Sequence, residues 1–189
     1  MKGLDIEIDG AVHVLINTGI DAAPYADILL EHALNLTAGN EIEAVVRCMT
    51  QSKGFRKAVP WLLSLFRGYP GNGLSDGNLW AVGNAIYTIN CEEYYPDVIS
   101  LCRERAYLSA RQMLMGALAR AKTDEAYALL VRCVNDASVR AHAIEGLGRF
   151  GRADAISVLE SLDVQKGLYE CKAKETALRR LRRKLARQA

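Results

Sequence analysis

Two stretches of this chain repeat one another at a displacement of 29 residues, and that repetition limits the fold more than any other feature. Arg111-Gln112-Met113-Leu114-Met115-Gly116-Ala117-Leu118-Ala119-Arg120 lies over Arg140-Ala141-His142-Ala143-Ile144-Glu145-Gly146-Leu147-Gly148-Arg149. Arginine falls on arginine at both ends and Leu118 on Leu147, while the small residues Ala117 and Ala119 fall on Gly146 and Gly148. Without a gap, Ala126 then falls on Ala155, Leu129 on Val158 and Leu130 on Leu159. A weaker copy begins at Leu79, with Val82, Ala85 and Ile86 in the small and apolar positions and Val98-Ile99 after a slightly longer turn. A fainter one runs from Glu43 to Phe66. A period of about 30 residues, built from units that cannot bury their apolar stripes alone, is the signature of an α-solenoid.

The periodicity within each unit is helical. Apolar residues recur at i, i+3, i+4 and i+7, as in Val59, Leu62, Leu63 and Phe66, in Tyr95, Val98, Ile99 and Cys102, and in Ala126, Leu129, Leu130 and Cys133. Stop and cap signals punctuate the pattern at Asn17-Thr18-Gly19, Thr37-Ala38-Gly39-Asn40, Ser52-Lys53-Gly54, Asn90-Cys91, Lys122-Thr123-Asp124, Asn135-Asp136 and Gly151-Arg152. The spacing predicts about eleven helices of roughly 10–16 residues joined by short loops. The longest irregular stretch, Gly68 to Gly77, reads as a junction between two halves, although no second domain is required.

Asp136-Ala137-Ser138-Val139-Arg140, then Ala143, Leu147-Gly148, Ala155-Ile156 and Leu159, resembles the D-x-x-V-R…A…L-G…A-I…L pattern of short bacterial HEAT-like repeats. The resemblance is best over 136–162, fair over 107–135 and fades toward the N-terminus. It implies an all-α, right-handed solenoid of stacked antiparallel helix pairs. About five pairs plus a C-terminal cap helix near 165–188 would form a single domain over 1–189. It also implies that Arg140 pairs with an acid in its own or the adjoining repeat. Independently, Asp136 is placed to cap the first helix of its unit, and the small residues allow paired helices to approach closely.

Composition agrees with a folded chain, since half the residues are apolar and about a quarter are charged. No apolar run approaches the ~18 residues that span a bilayer. The first residues carry Asp5 and Glu7 where a signal peptide needs basic and then apolar residues, so the expected compartment is the cytoplasm. The five cysteines (Cys48, Cys91, Cys102, Cys133, Cys171) form no C-x-x-C pair, and His13, His32 and His142 sit near none of them at ligand spacing. They read as small core hydrophobes, with no metal, disulfide or cofactor expected. Charge is strongly segregated. Residues 1–46 hold eight acids against Lys2 alone, and residues 172–189 hold eight bases against Glu175, within a total of +2. Such asymmetry orients a charged partner.

Few side chains nominate chemistry. Gly71-Asn72-Gly73 and Gly77 follow no strand and precede no Gly-Lys-Ser/Thr, so they read as loop glycines. Glu92 and Glu93 are adjacent, and adjacent helical residues point about 100° apart, so they do not converge as a catalytic pair. No catalytic residue is assigned. Second helices of the pairs would line a concave face carrying Asp27, Glu31, Lys57, Trp61, Ser64, Asp97, Ser100, Glu104, Glu125 and Arg132. Trp61 stands off its apolar stripe and is a candidate binding residue; Trp80, beside Ala81-Val82, is expected in the core. In the last helix Leu178, Leu181 and Leu185 form the expected apolar stripe. Arg179, Arg180, Arg182, Arg183 and Lys184 offer a cap with one wet face or a site for an anionic partner.

The expected function is non-catalytic recognition of a protein partner on the concave face. HEAT-like proteins act as adaptors, assembly factors and toxin-neutralising immunity proteins, and the acidic start would suit a basic partner. The alternative is nucleic-acid binding, similar in outline to HEAT-like DNA glycosylases, using the basic C-terminal helix. A role similar to the HEAT-like phycobilin lyases finds no nominated cysteine or acid.

Overall fold

The computed structural model describes residues 12, 14–17, 20–50 and 53–187. Among these residues there are helices, short 3-10 turns and no strand, as the periodicity predicts. No helix among them is long and apolar enough to cross a membrane. The acids Asp5, Glu7 and Asp9 and the imidazole of His13 lie outside the described residues. The chain divides at Tyr94/Tyr95 into two compact units.

The first unit contains α1 (Ala26–Ala33), α2 (Gly39–Met49), α3 (Val59–Gly68) and α4 (Asp76–Ile89), with 3-10 turns at Ala23–Tyr25, Arg56–Ala58 and Glu92–Tyr94. Helix α4 packs against both α2 and α3. Its buried stripe of Leu79, Val82, Gly83, Ile86 and Ile89 meets Val45, Val46 and Met49 of α2 and Leu62, Leu63 and Phe66 of α3 in the core. Trp80 does not join that core and is 37% exposed. It stands about 100° round the helix from Leu79, so the stripe that buries Leu79 leaves it on the flank. Trp61 is half-buried on α3.

The irregular stretch after α3 lies inside this unit, away from the division, and is a tied turn. The Asn72 amide N–H donates to the Gly68 carbonyl at 3.0 Å and its side chain donates to the Leu65 carbonyl at 2.7 Å. The Tyr69 hydroxyl donates to Asp76 at 2.6 Å. Ser75 then starts α4 with a reciprocal box. Its hydroxyl accepts from the Asn78 N–H at 3.1 Å, while the Asn78 side-chain oxygen accepts from the Ser75 N–H at 2.9 Å. Gly73, at φ +72°, supplies the left-handed residue of the turn.

The second unit contains α5 (Tyr95–Arg103), a 3-10 segment at Arg105–Arg111, then α6 (Gln112–Ala121), α7 (Asp124–Cys133), α8 (Arg140–Phe150), α9 (Ala155–Glu160) and α10 (Tyr169–Leu185). Here the 29-residue repetition has a structural counterpart. Leu118 and Leu147, Ala126 and Ala155, and Leu130 and Leu159 are buried pair by pair. Helices α6 and α8 both end on a left-handed residue, Lys122 at φ +56° and Gly151 at φ +82°, again 29 positions apart. Helix α4 of the first unit ends the same way on Asn90 at φ +55°.

Helix α8 is the hub of this unit, packing against α6, α7 and α10. Its two repeat glycines mark the closest approaches. A Cβ on Gly148 would stand 2.7 Å from the Cα and Cβ of Ala177 in α10, and one on Gly146 would stand 2.7 Å from a Leu130 methyl and 3.1 Å from the Met115 carbonyl. The buried stripe of α10 is accordingly Ala173, Ala177 and Leu181, while Leu178 and Leu185 are half-buried. The expected all-leucine stripe would hold α8 and α10 farther apart than the glycine allows. Gly148→Ala is expected to destabilise the chain by about 1–3 kcal/mol, because the obstructing atoms, the Cα and Cβ of Ala177, have no rotamer by which to move away. A lowered midpoint in far-UV circular-dichroism denaturation checks this; an unchanged midpoint would show that α8 and α10 are not in close contact.

A candidate anion-binding recess

The site with the most concentrated chemistry lies in the second unit, where the end of α5, the 3-10 segment, the last turn of α7 and the turn after it come together. They enclose a recess of about 610 Å³. Four arginines line it, Arg103, Arg105, Arg111 and Arg132, with Asp136 as the only carboxylate in the lining. Leu129 and the thiols of Cys102 and Cys133 complete the wall.

Arg111 holds the recess together. Its side chain is only 2% exposed, so it needs partners for its donors. One terminal nitrogen donates to the Cys102 carbonyl at 3.1 Å, in the last turn of α5, and Nε donates to the Leu108 carbonyl at 3.2 Å. The other terminal nitrogen donates to Asp136 at 2.7 Å and to the Ser138 hydroxyl at 3.1 Å. One guanidinium thus joins the C-terminus of a helix, a 3-10 segment and the turn leading to α8. Leu108 occupies φ +42°, ψ −126° with its side chain 54% exposed. This left-handed conformation is costly for leucine, and it accompanies a carbonyl aimed at Arg111.

Asp136 works differently from the sequence expectation. It does not cap α8, whose N-cap is Val139 without a side-chain hydrogen bond. Its carboxylate instead bends the preceding turn, accepting from the Ser138 N–H at 3.1 Å and the Ser138 hydroxyl at 2.6 Å. Burial by itself raises the pKa of Asp136, but the hydrogen bonds from Ser138 and Arg111 outweigh it and pull the value down to about 2. The acid partner expected for Arg140 is taken by its repeat equivalent Arg111. Nε of Arg140 donates to the Val134 carbonyl at 2.9 Å, just beyond α7. Both arginines therefore reach back to the C-terminal carbonyls of a preceding helix, where the dipole favours a cation.

The remaining arginines face the recess with less restraint. Arg103 pairs with Glu125 on α7. Arg105 is 79% exposed and stands 3.6 Å from Asp136. Arg132 is exposed and has no acidic partner among the described residues. Burial pushes the Cys102 and Cys133 thiols up, so both stay protonated and add no negative charge.

Of the residues expected on a concave face, only Arg132 lines this recess. Asp97 is half-buried in the first turn of α5, and the Glu104 carboxylate accepts from the Ala106 N–H at 3.1 Å to start the 3-10 segment. In the first unit Asp27 and Lys57 are exposed and bridged at 2.8 Å. Glu31 is exposed on α1. Glu93 stands 3.6 Å from Arg56. All five cysteines are free thiols, four buried and Cys171 half-buried.

The basic helix α10 is partly engaged in structure. The Lys184 ammonium donates to the Gly151 carbonyl at 3.0 Å, beside Lys122, which donates to the carbonyls of Arg149 at 2.9 Å and Phe150 at 2.7 Å. Two cations thus close the C-terminus of α8, and burial together with Lys184 lowers the pKa of Lys122. Lys174 caps α9 through the carbonyls of Glu160 and Leu162, and Arg182 pairs with Glu160 at 2.7 Å. Arg179, Arg180 and Arg183 are exposed without an acidic partner among the described residues.

The folded pKa of Asp136 lies below its unfolded value of about 3.9, so its stabilisation is full above that value and is lost as pH falls toward 2. The wild-type chain is expected to lose on the order of 2 kcal/mol through this group between pH 5 and pH 2, and Asp136→Asn to lose correspondingly less. Denaturant midpoints measured across that range check the difference; parallel pH profiles would show that the hydrogen bonds of Ser138 and Arg111 to Asp136 do not stabilise the fold.

No protein-family model matches this chain, and no curated protein matches it.

Proposed function

We propose that this chain is a recognition module of stacked, HEAT-like helix pairs that binds a protein partner without catalysing a reaction. The pairing of α6 with α7 and α8 with α9, and the packing of α6 on α8 and of α5 on α7, support the stacked-pair reading. The observation that carries the function is the arginine-lined recess anchored on Arg111. Guanidiniums stay charged at every physiological pH and the two thiols stay protonated, so the recess is equipped to hold an anion rather than to move a proton. A buried Arg111 with four hydrogen bonds to its surroundings fixes the shape beforehand, which lowers the ordering cost of binding.

The partner this recess fits presents an acidic segment. That differs from the basic partner favoured by the acidic start of the sequence, part of which is neutralised locally by Asp27–Lys57 and Glu43–Arg47. An adaptor, an assembly factor or an immunity protein occupying a toxin would each use such a surface, with no cofactor required. A labelled oligoglutamate peptide, followed by fluorescence anisotropy at roughly 50 mM salt, tests the reading. Binding that weakens with salt and drops about tenfold or more in the Arg105→Glu/Arg132→Glu double variant is expected. Binding unaffected by those reversals would overturn it.

Nucleic-acid binding is the second reading, favoured by the unpartnered Arg179, Arg180 and Arg183 on α10. A gel shift with duplex and single-stranded DNA at roughly 50 mM salt discriminates, because a site that tracks phosphates binds there and weakens steeply with added salt.

A further inference from the structure

The recess carries more charge information than a general preference for acids. Four guanidiniums line it or its rim, and only two carboxylates, Asp136 and Glu125, are paired with them. Two positive charges are left over, and both neighbouring thiols are neutral. The acids present are already committed. Asp136 is held by Arg111 and Ser138, and Glu125 by Arg103. With the charge of Arg103 met by Glu125, the guanidiniums whose charge is not met by a hydrogen-bonded carboxylate are Arg105, exposed and at the long distance of 3.6 Å from Asp136, and Arg132.

We infer that the recess binds a phosphate monoester dianion carried on a side chain of the protein partner, with Arg105 and Arg132 as its direct ligands. This deepens the recognition reading and rests on it. A phosphorylated serine, threonine or tyrosine brings about −1.5 to −2 charges and three acceptor oxygens to one point, which matches two surplus charges on two forked donors. A single carboxylate brings one charge and leaves half the surplus uncompensated. A nucleic-acid diester also brings one charge per phosphate and favours a track of cations, whereas these arginines surround one bounded hollow of about 610 Å³. Arg111 is the positioning residue: four of its five N–H donors are occupied by Cys102, Leu108, Asp136 and Ser138, and at 2% exposure it shapes the wall.

The test follows the arginine Nε–H resonances of the isotope-labelled full chain during titration with N-acetyl-O-phosphoserine amide. N-acetylglutamate amide and a 5′-phosphorylated oligonucleotide are titrated in parallel. Saturable movement of the Arg105 and Arg132 signals by phosphoserine is expected, with affinity about tenfold above that for glutamate. That movement should be lost in Arg132→Gln and Arg105→Gln, whose side chains are exposed and whose folding is checked by far-UV circular dichroism, while Arg179 and Arg183 stay still. Equal or tighter binding of glutamate at the same two arginines would overturn the phosphate assignment and leave the acidic-partner reading standing. Tighter binding of the oligonucleotide at these arginines would overturn the assignment to a protein side chain. Movement confined to Arg179, Arg180 and Arg183, or none at all, would overturn both this inference and the reading beneath it.

Discussion

Burying a guanidinium is expensive unless its donors are met, and in the second unit Arg111 meets that demand by gathering three separate pieces of chain. The strained Leu108 and the Asp136–Ser138 turn are irregular taken singly, and the last turn of α5 has a carbonyl beyond the reach of its own helix's hydrogen bonds. Around one planar cation they become mutually necessary. The walls of the recess are these same pieces, so the interaction that secures the fold locally also shapes the surface available to a partner. The neighbouring arginines then divide by restraint. Arg111 is spent on structure, Arg103 is shared with Glu125, and Arg105 and Arg132 remain to meet whatever enters.

Charge elsewhere in the second unit follows the same economy. Lys122 and Lys184 converge on the end of α8, Lys174 on the end of α9, and Arg182 on Glu160. Each sits where helix carbonyls lack intrahelical partners and the dipole is negative. Three of the eight bases at the close of the sequence, Lys174, Arg182 and Lys184, are thus engaged at helix ends, and close packing of Gly148 on Ala177 brings α10 near enough to α8 for Lys184 to reach. Among the described residues Lys172, Arg179, Arg180, Arg183 and Arg187 have no acidic partner, so five of the eight bases in this segment stay open to solvent.

Much of the helical architecture was legible from residues alone, because periodicity and caps are local. The 29-residue repetition anticipates the matched burial of Leu118 with Leu147 and Ala126 with Ala155, and even the paired left-handed ends at Lys122 and Gly151. Contacts that depend on a third element were not legible. Trp80 reads as core beside Ala81 and Val82, yet the stripe that meets α2 and α3 passes it by. Asp136 has the spacing of a helix cap, and only the arrival of Arg111 from 25 residues upstream shows that it braces a turn instead. The recess is made from helix ends and turns, which the apolar periodicity of helix faces does not mark. Its one available sequence signal was Arg103-Glu104-Arg105 at the close of a predicted helix, taken with two arginines in register at 111 and 140.

The account stands on the coupling between Arg111 and Asp136, and a double-mutant cycle in the full chain measures it most directly. Stabilities of the wild type, Arg111→Met, Asp136→Asn and the double variant give the interaction free energy. A coupling of about 2 kcal/mol or more is predicted, with the double variant less destabilised than the sum of the singles. A coupling near zero would mean that this pair does not organise the α5–α7 recess, and the site built upon it would lose its foundation.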